Sequence, residues 1–398
     1  MPRVLRIINR FNLGGPTYNA AYLTRYLSSD FDSILVGGTK EEFEESSEYI
    51  VRGLGINPII IPEMRRSVNP ANDLIAYRKI SKLIKQFKPD IVHTHASKAG
   101  TIGRLAAIRN DVPVIVHTFH GHVFHSYFGS SKTNIFINIE QGLANKCSKI
   151  IAISDKQKEE LSEVYKIAPS EKFEVIPLGF DLQRFQENNV AKRAEFRRQY
   201  RLTEDDVAIG IVGRLAPVKN HELFIRAIQQ VKAKTNTPIK AFIIGDGELR
   251  DDLQGLCSSL GIDFQYAPNG NAKPSTITFT SWIKNIDTAY PGLDIVAMTS
   301  LNEGTPVSLI EAQAANKSII STNVGGIENI VIPNGTALLT KNNCISDFSE
   351  KLLELVDNKE LRESQASKGW EHVRNKFHYT RLVHDMEQLY YNLLNQHK

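Results

Sequence analysis

Val207-Ala208-Ile209-Gly210-Ile211-Val212-Gly213-Arg214-Leu215-Ala216-Pro217-Val218-Lys219-Asn220 opens the second half of the chain and holds its architecture in miniature. Val207–Val212 is a short, continuously apolar run, the pattern of a strand buried on both faces. Glycine and proline then punctuate a loop, and residues 221–231 read as a helix. The same strand–loop–helix unit recurs downstream. Strands are expected over 240–244, 276–279, 293–298 and 318–321, and helices over 248–260 and 306–315. Three helical segments close the chain, the last over about 380–394. Upstream, strands are predicted at 4–8, 33–36, 57–61, 90–93, 114–117 and 150–153. Helices are expected at 18–27, 74–87 and 132–144, and Ser154 reads as the cap of a further one. Alternation of this kind from end to end is the signature of parallel sheets wrapped by helices.

The 398 residues exceed one ordinary core,. A polar, charge-rich stretch reaching about Arg201 divides the chain, with one α/β domain over 1–183 and a second over 200–376. Two such units suggest sheets that face one another across an interdomain cleft. In open α/β sheets ligands bind beyond the carboxyl ends of the strands, so the residues placed there carry the functional reading.

Composition removes several classes. Cys147, Cys257 and Cys344 lie far apart without a CxxC pair, which disfavours a disulfide framework or structural zinc and fits a reducing, cytoplasmic setting. The apolar run near the N-terminus is too short for a secretory signal. No segment approaches the ~20 apolar residues of a membrane span. A net charge of +4 gives no footprint for nucleic acid,. One basic run, Arg78, Lys79, Lys82, Lys85 and Lys88, lies on an amphipathic helix whose apolar stripe reads Leu74, Tyr77, Ile80, Leu83 or Ile84, and Phe87. It is either a solvated face or a surface for anionic lipid headgroups.

At the first strand end, Gly14-Gly15-Pro16 opens a helix whose free N–H groups suit an anion,. It is not GxGxxG, so a nicotinamide cofactor is not indicated. Six of the eleven histidines fall between His93 and His125: His93, His95, His117, His120, His122 and His125. No HExxH arrangement or nearby carboxylate accompanies them, so no metal is expected. One or two are expected to hydrogen-bond a ligand while the others pack.

In the second half, Gly213 leads to Arg214 and Lys219, a fork and a point charge able to address one diphosphate. Gly245-Asp246-Gly247-Glu248 ends the next strand. Thr299-Ser300-Leu301-Asn302-Glu303-Gly304-Thr305-Pro306 then enters a helix carrying Glu311. If Glu303 and Glu311 were both helical, their rise would separate them by about 12 Å. That exceeds the roughly 5–9.5 Å of carboxylates that hydrolyse a glycoside together. The pair suits the two ends of an elongated polar ligand such as a nucleotide sugar.

Taken in order, these motifs resemble the family 4 retaining glycosyltransferases of the GT-B fold, over essentially the whole chain. The matching residues are Gly14-Gly15-Pro16, His93-Thr94-His95 with Lys98-Ala99-Gly100 and Gly103-Arg104, and His117-Thr118-Phe119-His120-Gly121. Gly213-Arg214 with Lys219, and Glu303-Gly304-Thr305-Pro306 through Glu311-Ala312, complete the set. The resemblance implies two Rossmann-like domains, with the helix of about 380–398 packing back on the first. It implies retention of anomeric configuration without a metal or other cofactor. Glu303 would bind donor-sugar hydroxyls, with Gly304, Thr305 and Pro306 beside sugar and phosphate. Arg214 and Lys219 would stabilise the departing diphosphate, and Glu311 would hold the ribose. His120 would lie near the reacting carbon, with Gly15, Gly213 and Gly245 close to the donor.

The expected donor is an NDP-sugar, taken as a UDP-sugar. The expected acceptor is a lipid-linked saccharide, reached by peripheral contact with the inner membrane surface. Phe279-Thr280-Ser281-Trp282 departs from the family's usual Phe-Leu-Gly-Trp beside the base. Two alternatives stand: a GT-B epimerase or hydrolase acting on the nucleotide sugar alone, and a non-catalytic sugar-nucleotide binding protein.

Overall fold

A computed structural model describes all residues except 13–14, 41–45, 66, 68, 121–129, 269, 271–272 and 397–398, and the side chains of 130–134. It divides into two compact units. One comprises residues 1–180 with 376–398, the other 181–375.

In the first unit the strands are β1 (Arg3–Arg10), β2 (Asp32–Gly38), β3 (Ile59–Ile60), β4 (Ile91–His95), β5 (Val114–Thr118), β6 (Lys149–Ala152) and β7 (Phe173–Val175). They form one parallel sheet in the order β3-β2-β1-β4-β5-β6-β7. β4 and β5 are buried at every position, because helices cover both faces. Ala76, Ile80 and Ile84 of the helix Pro70–Phe87 and Ala99, Ile102 and Ala106 of the helix Ser97–Arg109 pack on Leu5, Val92 and Ile115. On the other face, Leu382, Met386, Tyr390 and Leu393 of the helix Tyr379–Asn395 pack on Val4, Ile91, Val114 and Ile151.

In the second unit the strands are β8 (Val207–Val212), β9 (Ile239–Ile244), β10 (Phe264–Tyr266), β11 (Ile277–Ser281), β12 (Ile295–Met298), β13 (Ser318–Thr322) and β14 (Ala337–Thr340). They too run parallel, in the order β10-β11-β9-β8-β12-β13-β14. In the second sheet β11 is inserted between β9 and the edge strand β10, and the order reverses between β1 and β4 in the first sheet and between β8 and β12 in the second. The loops leaving those strands flank the crevice where open α/β sheets bind ligands.

Several elements differ from the sequence reading. The helix Ser97–Arg109 was not anticipated, and it contains two glycines, Gly100 and Gly103. They are there for packing: a Cβ at Gly100 would lie 2.5 Å from His117 Cε1, and one at Gly103 2.7 Å from Thr94 Cγ2. The supposed linker contains the helix Asn189–Gln199, which belongs to the second unit. The strand expected over 57–61 shrinks to β3, while β10 and β14 are additional edge strands too short to declare themselves. Four helices, not three, follow β14. On the basic helix Leu74 lies outside the apolar stripe at 48% exposure.

Candidate functional site

The β8 and β12 exits are stitched together in the second unit. Leu301 N donates to Val218 O at 2.8 Å, and Thr299 Oγ1 to Lys219 O at 3.0 Å. A single turn, Pro217–Lys219, then turns Lys219 inward before Asn220 takes a left-handed conformation (φ 50°) ahead of the helix His221–Lys232. As a result Lys219 Nζ donates to Glu303 Oε1 at 2.5 Å, and Ser300 Oγ donates to the same oxygen at 2.5 Å. Glu303 Oε2 has no hydrogen-bond partner among the described residues, although the side chain is only 10% exposed. A shielded carboxylate with one oxygen satisfied and the other open is an acceptor for a ligand hydroxyl.

Glu303 lies before the helix Val307–Ala314, so only Glu311 is helical and the rise estimate does not apply to the pair. Two glycines that the sequence reading passed over shape the Glu303 loop. Gly326 N donates to Glu303 O at 2.9 Å. A Cβ on Gly325 (φ 57°) would stand 1.9 Å from Glu303 O, and one on Gly326 2.1 Å from Gly304 O. The turn after β13 thus supports the Glu303 loop through backbone that no larger residue would admit. Gly304 meets no atom within 4 Å of its Cβ position. Its N–H and that of Thr305 donate to no backbone carbonyl among the described residues, and the buried Pro306 leads into the helix. Open N–H groups at a helix start favour an anion.

Glu311, on that helix, forms a second focus. Its Oε2 accepts from Tyr290 Oη at 3.1 Å, and Arg184 Nη2 lies 3.8 Å from Oε1. Asp287 and Lys192 complete the charge cluster, with Lys192 Nζ 2.8 Å from Asp287. Burial raises the Glu311 carboxyl to about 7, against the pull of Arg184 and Tyr290. Neither Arg184 nor Tyr290 carries a sequence signal of its own, since both come from segments remote in the chain.

Arg214 and Lys219 do not converge on a common partner here. Arg214, 61% exposed, reaches Glu248 Oε1 at 3.2 Å, whereas Lys219 holds Glu303. An exposed guanidinium on a loop keeps the freedom to turn towards a ligand. Gly213 and Gly245 prove to be neighbours: a Cβ on Gly245 (φ 143°) would sit 2.0 Å from Gly213 O. The β9 exit therefore lies directly on the β8 exit. Ser281, at φ 57°, donates through Oγ to Asp246 Oδ2 at 2.9 Å, beside the half-exposed Trp282.

In the first unit the helix Gly15–Tyr26 begins at Gly15, whose Cβ position is 3.5 Å from Leu178 Cδ1, and Gly14 lies outside the described residues. Three of the histidines between His93 and His125, namely His93, His95 and His117, are core. His93 is fully enclosed between Tyr390 Oη and Thr118 Oγ1, each 2.7 Å away. His117 bonds Thr94 Oγ1 at 2.8 Å. His95, also buried, bonds His120 Nε2 through Nδ1 at 2.9 Å, while His120 Nδ1 is buried without a partner among the described residues. Desolvation lowers all four, His120 to about 3, so each is neutral at physiological pH. His122 and His125 lie outside the described residues.

Gly103-Arg104 is structural too: Arg104 Nη2 meets Glu140 Oε2 at 2.6 Å with both side chains buried. Beside His95, Ala96 holds φ 65° and ψ 160°, a strained conformation for a residue with a Cβ. It stands at the exit of β4, next to the crevice between β1 and β4. Among the described residues no three His, Cys, Asp or Glu side chains gather as a metal-binding set.

Comparison with known proteins identifies the family and the fold. Residues 13–184 match the model of glycosyltransferase family 4, and residues 192–372 that of glycosyl transferases group 1. The chain is 28% identical over 342 residues to the UDP-Gal:alpha-D-GlcNAc-diphosphoundecaprenol alpha-1,3-galactosyltransferase of Escherichia coli, covering 85% of this chain and 84% of that one. It is 25% identical to the capsular polysaccharide biosynthesis glycosyltransferase CapM of Staphylococcus aureus, covering 85% of each. Among solved structures, Anabaena Alr3699/HepE in complex with UDP-glucose superposes with a TM-score of 0.79 at 17% identity, covering 98% of this chain and 99% of that one. Sucrose-phosphate synthase from Thermosynechococcus elongatus gives 0.77 at 17% identity over the full length of both. Two seven-stranded parallel sheets, a charged crevice at the strand reversal and the family models matched in turn along the chain lead to one conclusion: this chain belongs to the family 4 glycosyltransferases and has the GT-B fold.

Proposed function

We propose that this glycosyltransferase transfers a sugar from a UDP-sugar, with retention, to a hydroxyl of a lipid-linked saccharide during cell-surface polysaccharide or glycolipid synthesis. The observation that carries the proposal is the Lys219–Glu303–Ser300 cluster, at the β8/β12 reversal and with Glu303 Oε2 open. Glu303 accepts hydrogen bonds from donor-sugar hydroxyls. Lys219, released from Glu303, and Arg214, swung from Glu248, lie against the diphosphate, with the N–H groups of Gly304 and Thr305 beside it. Glu311 takes the ribose diol. In the reaction the bond from the anomeric carbon to the diphosphate oxygen breaks, and the acceptor oxygen bonds that carbon on the same face. The acceptor proton passes to the leaving phosphate oxygen. Negative charge grows on the diphosphate, so preorganised cations there lower the barrier most.

The donor and acceptor classes are supported by the E. coli relative, whose name specifies UDP-Gal and a diphosphoundecaprenol-linked sugar. UDP-glucose is the ligand in the Anabaena structure. No helix among the described residues is long and apolar enough to cross a membrane, and the proposed meeting with a lipid-linked acceptor is peripheral, at the cytoplasmic face. Arg214 and Lys219 supply the positive charge that a divalent metal supplies in other transferases.

The test is transfer from a panel of UDP- and GDP-sugars to lipid-linked saccharides, with and without excess chelator. Acceptor-dependent product that survives chelation and vanishes in Glu303→Ala supports the reading. Sugar release without acceptor would identify a hydrolase or epimerase instead.

A further inference from the structure

We infer that Tyr290 is a positioning residue for donor binding: from a buried turn its hydroxyl holds one carboxylate oxygen of Glu311 and leaves the other for the ribose diol. The inference rests on the ribose role proposed for Glu311.

Tyr290 begins the single turn Tyr290–Gly292 ahead of β12 and is fully enclosed. Phe185 meets its ring edge-on, with centroids 5.7 Å apart. The turn is also pressed against the helix Asn189–Gln199, since a Cβ on Gly292 would stand 2.2 Å from Phe196 Cδ1. The ring is thus fixed, and only the hydroxyl hydrogen is free to move. That hydroxyl has two acceptors at equal distance, Ser308 O and Glu311 Oε2, each 3.1 Å away. It carries one hydrogen. Burial holds the phenol well above its ordinary value, so it donates throughout the physiological range. An ionised carboxylate is a stronger acceptor than a peptide carbonyl. The hydrogen therefore lies on Glu311 when that group is charged and returns to Ser308 O when it is protonated. A tyrosine with a structural part alone would need only one of these acceptors.

Glu311 Oε1 has no hydrogen-bond partner among the described residues, with Arg184 Nη2 3.8 Å away. The acid is held by one oxygen and open at the other, as Glu303 is under Lys219 and Ser300. Both acids proposed to bind donor hydroxyls are thus oriented by a neighbour that occupies one oxygen. The other charges facing Glu311 are Arg184 of the turn Gln183–Phe185 and Asp287 of the turn Ile286–Thr288, with Lys192 behind Asp287. The helix Val307–Ala314 carries no further ionisable side chain. Tyr290→Phe leaves all of these in place and removes one oxygen atom.

Calorimetric titration of the full chain with a UDP-sugar between pH 6 and pH 9 tests the inference. Losing a hydrogen bond to its charged form raises the Glu311 carboxyl, and a bond of that kind accounts for about one pH unit. In Tyr290→Phe the pH transition in donor affinity should move up by about one unit, with affinity about fivefold weaker at pH 7. Turnover at saturating donor should be unchanged at pH 9. A folded Tyr290→Phe whose transition stays where wild type has it, while Glu311→Gln abolishes the transition, overturns the inference. A second measurement needs no Tyr290 variant. With carbon-13 at the tyrosine Cζ, one signal of the wild type should shift with the Glu311 midpoint of about 7 and cease to shift in Glu311→Gln. The lack of any such signal also overturns it. The ribose role fails by a different result: donor affinity that is identical in Glu311→Gln and wild type at every pH.

Discussion

The ribose role proposed for Glu311 would link donor binding to pH in a way that one substitution isolates. Burial holds the Glu311 carboxyl at about 7 in the folded chain, well above the ordinary glutamate value of 4.5. The neutral form is therefore favoured by folding, and the Glu311 contribution to stability is greatest below pH 4.5 and is lost as pH rises through 7. Keeping the carboxylate charged in that buried position costs about 3 kcal/mol at pH 8 and above. A ribose diol donating two hydrogen bonds to the carboxylate prefers that charged form, so donor binding expels the proton. With a folded value near 7, the fraction of carboxylate changes so that affinity is about tenfold weaker at pH 6 than at pH 8. An intact UDP-sugar is the right probe in calorimetry, because its diphosphate diester keeps constant charge over this range.

His93, His95, His117, His120 and His221 are all held low and do not titrate there. Lys317, lowered to about 8, does titrate, but it is untouched in Glu311→Gln. That variant should lose the pH dependence, bind more weakly at pH 8, and unfold at higher denaturant than wild type at pH 8 but not at pH 5. An affinity that is flat from pH 6 to pH 8 in wild type, or equally sloped in Glu311→Gln, refutes the ribose role.

Gly325→Ala forces a Cβ against Glu303 O at a left-handed φ. Steady-state kinetics should show turnover reduced by about tenfold or more, with stability lowered by roughly 1–3 kcal/mol. Unaltered kinetics would show that the Glu303 loop does not depend on the turn beneath it. Arg214→Ala should cut turnover by about a hundredfold while donor affinity changes far less, since charge on the diphosphate is greatest in the transition state. A purely affinity-based loss contradicts that role. Glu140→Ala leaves the Arg104 guanidinium buried and uncompensated, and should destabilise the first unit by about 3–5 kcal/mol in hydrogen exchange. Replacing both residues by apolar ones should recover much of the loss.

The linear pattern was enough to specify two parallel α/β sheets, because short apolar runs with fully buried character admit few other folds. Val207–Val212 appears in the structure with the predicted bounds. Glu303, Lys219 and Glu311 were also legible, since a strand exit followed by Gly and Pro announces a helix start whatever the rest of the chain does. Local sequence could not reveal which groups meet across chain separations. Lys219 and Glu303 lie 84 residues apart and share a proton donor–acceptor pair only because β8 and β12 are neighbours. Tyr290 and Arg184 reach Glu311 in the same manner. Glycine motifs are ambiguous for a related reason: Gly100 and Gly103 look like ligand loops until packing shows His117 and Thr94 occupying the space a Cβ would need. Periodicity and punctuation act over a few residues and so determine elements. Burial, close approach and the pairing of distant charges are properties of the assembled sheets, and only the tertiary structure decides them.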